Sequence, residues 1–207
     1  MAKLYFYYAT MNAGKTTALL QTAYNYHEKK MRTVLLTSAT DDRHKKGIIS
    51  SRIGFSAPAT TYRREDDLWQ WFMRTQESTY PHCILIDEAQ FLSPEQVWDL
   101  SRIVDTFNVP ILCYGLRTDF KGELFSGSSA LLAIADVLSE IKSMCHCGAK
   151  ATMNLRIQDN MPVLEGDVVM IGGNDIYDTL CRRCFTNKKQ HHAQHQGITL
   201  SKVGSVV

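Results

Sequence analysis

The run Ala9-Thr10-Met11-Asn12-Ala13-Gly14-Lys15-Thr16 constrains this chain more than any other stretch. An apolar, aromatic segment, Leu4-Tyr5-Phe6-Tyr7-Tyr8, leads into it, and Thr17 to Lys30, which reads as a helix, leads out. A buried strand, a loop of small residues closing on Gly-Lys-Thr and a following helix make a phosphate-binding loop in the context that gives the motif its meaning. The residue types follow from the chemistry. Backbone N–H groups turned inward at a helix N-terminus form a cavity for phosphate oxygens. Gly14 lets the backbone approach closely, Lys15 reaches the β- and γ-phosphates, and Thr16 offers its hydroxyl to Mg²⁺. Ala9 stands where the usual pattern begins with glycine. Alanine is small but disfavours φ > 0, so the fit at this position is imperfect.

A chain of 207 residues is long enough for one substantial domain and a small appendage. Its net charge of +2 gives no field suited to a polyanion, so phosphate binding is local and no nucleic-acid partner is expected. No apolar run approaches the length that spans a bilayer, so no membrane partner is expected either. The apolar N-terminal run is too short for a signal peptide and flows into the phosphate loop, which points to a cytosolic protein. Of six cysteines, Cys83 and Cys113 sit in apolar strand-like runs and read as buried thiols. The other four cluster, and in a reducing compartment a cluster suggests metal rather than disulfides.

Apolar runs at 3–8, 33–38, 83–86 and 109–114 predict buried strands, the last closed by Gly115, with a further strand over 137–142. Helices are predicted over 15–30, 64–76, 93–107 and 126–135, the third with Ser93 as its cap and Pro94 at its first position. Residues 48–61, rich in Ser, Gly, Ala and Pro, read as irregular loop. Alternating strands and helices imply an α/β fold with a largely parallel sheet, whose ligands bind beyond the C-terminal strand ends. Tyr8, Ser38, Asp87 and Gly115 stand at such ends. From Met144 the chain becomes punctuated by Cys and Gly, with strand-like pieces at 151–157 and 168–171. From Thr186 it is polar, with His191, His192 and His195, and reads as a solvated terminus.

Asp87 follows the apolar run Cys83-Ile84-Leu85-Ile86, the place where P-loop nucleotidases hold Mg²⁺ with a carboxylate. Adjacent Glu88 has two readings: a base for an attacking hydroxyl in a kinase, or a group that polarises water in an ATPase. Asp87-Glu88-Ala89-Gln90 also resembles the acidic box of helicases, but those enzymes need a second such domain and a basic, strand-tracking surface. Cys145-His146-Cys147 and Cys181-Arg182-Arg183-Cys184 form two close pairs suited to a closed tetrahedral Zn²⁺ site, which is structural because no ligand position stays open. Between the pairs lies Val168-Val169-Met170-Ile171-Gly172-Gly173, followed by Tyr177. This is either a ligand-facing backbone beside a stacking ring or an ordinary hairpin turn.

In combination these stretches resemble the type II thymidine kinases. The likeness rests on Met11 to Thr16, Asp41-Asp42-Arg43, Asp87-Glu88-Ala89-Gln90-Phe91, Tyr114-Gly115-Leu116-Arg117-Thr118-Asp119-Phe120, Gly122-Glu123-Leu124-Phe125, the two cysteine pairs, and Ile171-Gly172-Gly173 before Tyr177. It covers Leu4 to Cys184. It implies a RecA-like P-loop domain over 1–143, a zinc-bearing lasso domain over 144–186 and a polar tail over 187–207. It also implies a homotetramer that transfers the γ-phosphate of ATP to the 5′-hydroxyl of thymidine or deoxyuridine, with dTTP as feedback inhibitor. By resemblance Glu88 is the catalytic base and Arg43 the cation that meets the phosphates. Ala9 to Thr16, Asp87 and Gln90 serve ATP and Mg²⁺. Met11, Leu116, Phe120 and Tyr177 surround the thymine ring, and the backbone of Val168, Val169, Met170, Ile171 and Gly172 reads its edge. Cys145, Cys147, Cys181 and Cys184 hold the zinc.

Overall fold

The computed structural model describes residues 1–40, 47–75, 79–159, 161–166 and 177–195, the last three of these by backbone alone. Arg43 and the stretch 168–172 lie outside the described residues. The first part of the chain runs β1 (Leu4–Ala9), α1 (Lys15–Glu28), β2 (Thr33–Ser38), β3 (Ile48–Ser50), β4 (Ser56–Pro58), β5 (Thr60–Tyr62), α2 (Leu68–Thr75) and β6 (Cys83–Ile86). A 3₁₀ turn (Ala89–Phe91), α3 (Pro94–Phe107), β7 (Ile111–Leu116), α4 (Ser126–Ile134) and β8 (Val137–Glu140) complete it. Six strands form one sheet in the order β5-β2-β6-β7-β1-β8, every pair parallel.

Both faces of this sheet are covered, which explains its unbroken apolar strands. Along β6, Ile84 and Ile86 pack with Val97, Leu100 and Ile103 of α3 and Leu131 of α4, while Cys83 and Leu85 face Leu19 and Leu20 of α1. The period of two that sends successive side chains to opposite faces thus divides the core in two. Cys83 and Cys113 are fully buried, as expected, and burial pushes both thiols up. The start of α3 also follows the sequence reading. The Ser93 hydroxyl accepts from the Gln96 N–H, and the Gln96 side chain accepts from the Ser93 N–H, with Pro94 in the first turn.

Three expectations change in this part of the chain. Residues 48–61 are not irregular: β3 and β4 form an antiparallel hairpin, and β5 joins the sheet as its edge. Strands of three residues carry too little pattern to stand out, and pairing defines them. Helix α2 begins at Leu68, after Asp67 accepts the Gln70 N–H and so takes the place of a cap. The seventh strand runs on through Gly115 to Leu116.

The cysteine-bearing unit contains β9 (Ser143–Met144), β10 (Lys150–Ala151), β11 (Met153–Gln158), β12 (Met161–Pro162), β13 (Tyr177–Leu180) and α5 (Arg182–His195). β11 lies between β12 and β13, antiparallel to both. Helix α5 carries on past Thr186, where the sequence reads as a polar terminus. Lys188 pairs with Asp178 at 2.8 Å, Lys189 lies over the Phe185 ring, and His192 is buried. No described helix is long and apolar enough to cross a membrane.

Candidate active site

The phosphate loop hangs between β1 and α1. Ala9 is the last residue of β1, paired with Leu116, and is absent from the described non-glycine residues of positive φ. The missing glycine therefore costs nothing here, because the position is extended. The left-handed positions are Asn12, at φ 59°, and Gly14, at φ 84°. Asparagine tolerates that region better than most residues, and glycine enters it without penalty. The Lys15 ammonium is buried and donates to the Thr10 carbonyl at 2.8 Å. The Thr10 hydroxyl is also buried and has no hydrogen-bond partner among the described residues. An unpaired buried hydroxyl beside a buried ammonium, at a helix N-terminus, fits the oxygens of a nucleotide phosphate.

Across the cleft, the Asp87 N–H donates to the Leu36 carbonyl at 2.9 Å, which seats the acidic pair at the end of β6. The Asp87 carboxylate takes hydrogen bonds from the Thr16 hydroxyl and the Glu88 N–H. Burial holds its carboxyl well above the usual carboxylate range, and the adjacent Glu88 charge pushes the same way. The Thr16 and Glu88 hydrogen bonds and the Lys15 charge pull it down.

Glu88 is buried and adopts a left-handed conformation, φ 52° and ψ 39°. A non-glycine residue held there stores about 1–3 kcal/mol, which the surroundings must offset. Its carbonyl accepts from the Tyr62 hydroxyl at 3.2 Å, and its carboxylate accepts from the Gln90 amide. Gln90, expected among the nucleotide contacts, is fully enclosed and spans the site. Its Oε1 accepts from the Leu116 N–H at 2.9 Å. Gly115 leaves room for it, since a Cβ there would lie 2.9 Å from that same oxygen. One side chain thus ties the carboxylate of Glu88 to the loop that carries Leu116.

That loop is held from several sides. The Ser128 hydroxyl donates to the Leu116 carbonyl at 2.5 Å. Asp119 Oδ1 accepts from the N–H groups of Lys121, Gly122 and Glu123. Phe120 is buried, with the Arg156 guanidinium over its ring at 5.3 Å, and Arg156 stands opposite Tyr177 between β11 and β13. Met11 joins the same group through Asn154, a β11 residue that the sequence reading passes over. The described members of the predicted site therefore converge: the phosphate loop, Asp87 and Glu88, Leu116 and Phe120, and Tyr177. Tyr62, Ser128 and Asn154 hydrogen-bond to members of this group. Single polar residues inside strands and helices give no sequence signal until their distant partners are known.

In the second unit, the thiol sulfurs of Cys145, Cys147, Cys181 and Cys184 lie within 4.8 Å of one another, with Cys147 and Cys181 3.7 Å apart. Four sulfurs at ~2.3 Å from one tetrahedral ion stand ~3.8 Å apart, so the donors and spacing fit a tetrathiolate metal site. The pair with one intervening residue closes as well as the longer one. The Gly148 N–H donates to the Cys145 carbonyl, and the Cys145 N–H to the Ala149 carbonyl.

Fold and site together define a nucleotide-binding protein of the P-loop class, built around a parallel sheet and carrying a four-cysteine cluster that could hold a metal ion. Residues 2–185 match the thymidine kinase family model. The chain is 57% identical over 189 residues to the thymidine kinase of Zymomonas mobilis, covering 91% of this chain and 98% of that one. It is 54% identical over 189 residues to that of Mannheimia succiniciproducens, covering 91% and 97%, and 51% identical over 191 residues to that of Escherichia coli, covering 92% and 93%. The chain belongs to the thymidine kinase family.

Proposed function

We propose that this chain transfers the γ-phosphate of ATP to the 5′-hydroxyl of thymidine, giving dTMP, and accepts deoxyuridine as well. The observation that carries the reading is the Gln90 bridge, which sets the buried Glu88 carboxylate at a fixed place beside the Leu116 loop. Lys15 and the inward N–H groups of the phosphate loop hold the donor, and Arg43 meets its terminal phosphates. Glu88 accepts the proton of the 5′-hydroxyl as its oxygen attacks, an attack the fixed carboxylate orients. Leu116, Phe120, Met11 and Tyr177 enclose the thymine ring, with the backbone of 168–172 along its edge. Thr16 and Asp87, already joined by a hydrogen bond, are the residues that would hold Mg²⁺. When bound, that ion supplies neutralisation of phosphate charge. Zinc is the ion proposed for the four cysteines, in a structural role. Inhibition by dTTP, assembly as a homotetramer and a cytoplasmic location belong to the same reading.

Two measurements test it. ADP release over a panel of nucleosides should respond to thymidine and deoxyuridine and hardly to purine nucleosides. Equal turnover of deoxyadenosine would overturn the acceptor assignment. Glu88→Gln should lower kcat by about 10²–10⁴ with little change in ATP affinity. A variant with near-normal turnover removes Glu88 from the role of base.

A further inference from the structure

Asn154 belongs by chain position to the cysteine-bearing unit, but its side chain serves the other domain. Along β11, Leu155 faces the small core of its own unit. Asn154 and Arg156, on the opposite side of the strand, face the active site, as the alternation of a strand requires. The Asn154 side chain is 2% exposed. Its Oδ1 accepts from the Met11 N–H at 2.8 Å, and its Nδ2 donates to the Thr118 carbonyl at 3.2 Å. A carboxamide is the short side chain that can accept on one atom and donate on the next. Met11 lies in the phosphate loop, beside the left-handed Asn12. Thr118 lies midway between Leu116 and Phe120. The turn that follows is stiffened by the three N–H groups that Asp119 collects. A second contact runs parallel, from the Arg117 guanidinium to the Thr152 carbonyl at 3.2 Å.

We infer that Asn154 is a positioning residue that couples the two substrates, so that filling the phosphate loop tightens binding of the nucleoside and the reverse. The inference rests on the proposed acceptor role of Leu116 and Phe120. Because the amide is enclosed, water cannot replace either partner, and the loops move together or leave a buried group unpaired. Coupling of this kind is reciprocal and commonly amounts to about 5–150-fold in affinity.

Asn154→Asp is the informative change. It keeps the acceptor for the Met11 N–H and turns the donor into an oxygen that faces the Thr118 carbonyl. Thymidine affinity is measured by calorimetry on the full-length, metal-loaded protein, with and without saturating Mg²⁺ and the β,γ-methylene analogue of ATP. In the unaltered protein the analogue should tighten thymidine binding by about tenfold. In N154D that gain should fall to within about twofold, with thymidine KM raised and ATP KM changed less. Leu155→Ala, on the opposite face of the strand, should lower Tm and keep the gain. If N154D does not fold, Asn154→Ser, too short to bridge both partners, is read in the same way. Absence of coupling in the unaltered protein, its survival in the Asn154 variants, or its equal loss in L155A overturns the inference. Loss of thymidine phosphorylation in the unaltered protein would instead overturn the acceptor assignment beneath it.

Discussion

Among its described residues the parallel-sheet domain encloses eighteen buried core residues on one face of its sheet and seven on the other. The cysteine-bearing unit encloses six among its described residues, and two of those six are metal-site cysteines. Ordering a residue costs on the order of 1–2 kcal/mol in backbone entropy alone, so a small core offsets less of that cost than a large one. The first domain spreads its stability over many side chains. The second has a cluster of four cysteines, and a metal held there would contribute its binding free energy to folding. The difference also explains the placement of function. A small unit pinned at one end can present β11 to a neighbouring active site with little mass of its own behind it.

Removing the metal should have the largest effect. Structural zinc contributes about 10–16 kcal/mol of apparent binding free energy in small domains. Chelation, or Cys181→Ser, should therefore abolish the unit as a folded body and remove Asn154 from the active site. Limited proteolysis should cut within 144–195 and leave the first domain resistant, while thymidine phosphorylation falls with the metal content. Native resistance in metal-free protein would erase the contrast between the units.

A smaller effect is expected inside the larger core. A Cβ on Gly127 would lie 2.6 Å from the Leu92 carbonyl and 2.7 Å from that of Ala89, both backbone atoms that cannot swing away. Gly127→Ala should force α4 off the acidic turn, at about 1–3 kcal/mol. Tm and kcat should drop together, because the same turn carries Gln90. Retention of both values would mean that the turn yields more easily than its close packing suggests. The smallest change is at the Ser93 cap. Ser93→Ala should cost about 1 kcal/mol, near 2–4 °C in the melting of the first domain, with kcat unaltered. A change in kcat there would mean that stability is less evenly spread than the core implies.

How much of this was legible in the sequence depends on the range of the interactions. Strand β6 and helix α3 are written in contiguous residues, an unbroken apolar run and a Ser-Pro start, and they stand where the sequence puts them. The phosphate loop, the acidic pair and the cysteine pairs are equally local. The edge strand β5 is not, since three residues of Thr-Thr-Tyr become a strand only beside β2. The Gln90 bridge and Asn154 are further out of reach, because their partners lie 26, 36 and 143 residues away and nothing in an isolated Gln or Asn names them. The later part of α5 was hidden for another reason. A helix with so little apolar surface looks like a solvated tail until Lys188 and His192 are seen to have neighbours.

The position of β1 in the sheet bears on how the chain is made. Its partners are β7 and β8, so neither edge is covered until residues 111–140 exist. A ribosome adding about 5–20 residues per second takes roughly 5–20 s to cover the intervening stretch of about 100 residues. Throughout that interval Leu4-Tyr5-Phe6-Tyr7-Tyr8 stands open on both sides, an adhesive segment with no native strand to meet. The phosphate loop hanging from it waits longer still, since the Met11 N–H meets its native partner only once Asn154 is translated. A strand made about 100 residues before its neighbours is thus among the last parts of the enzyme to be seated.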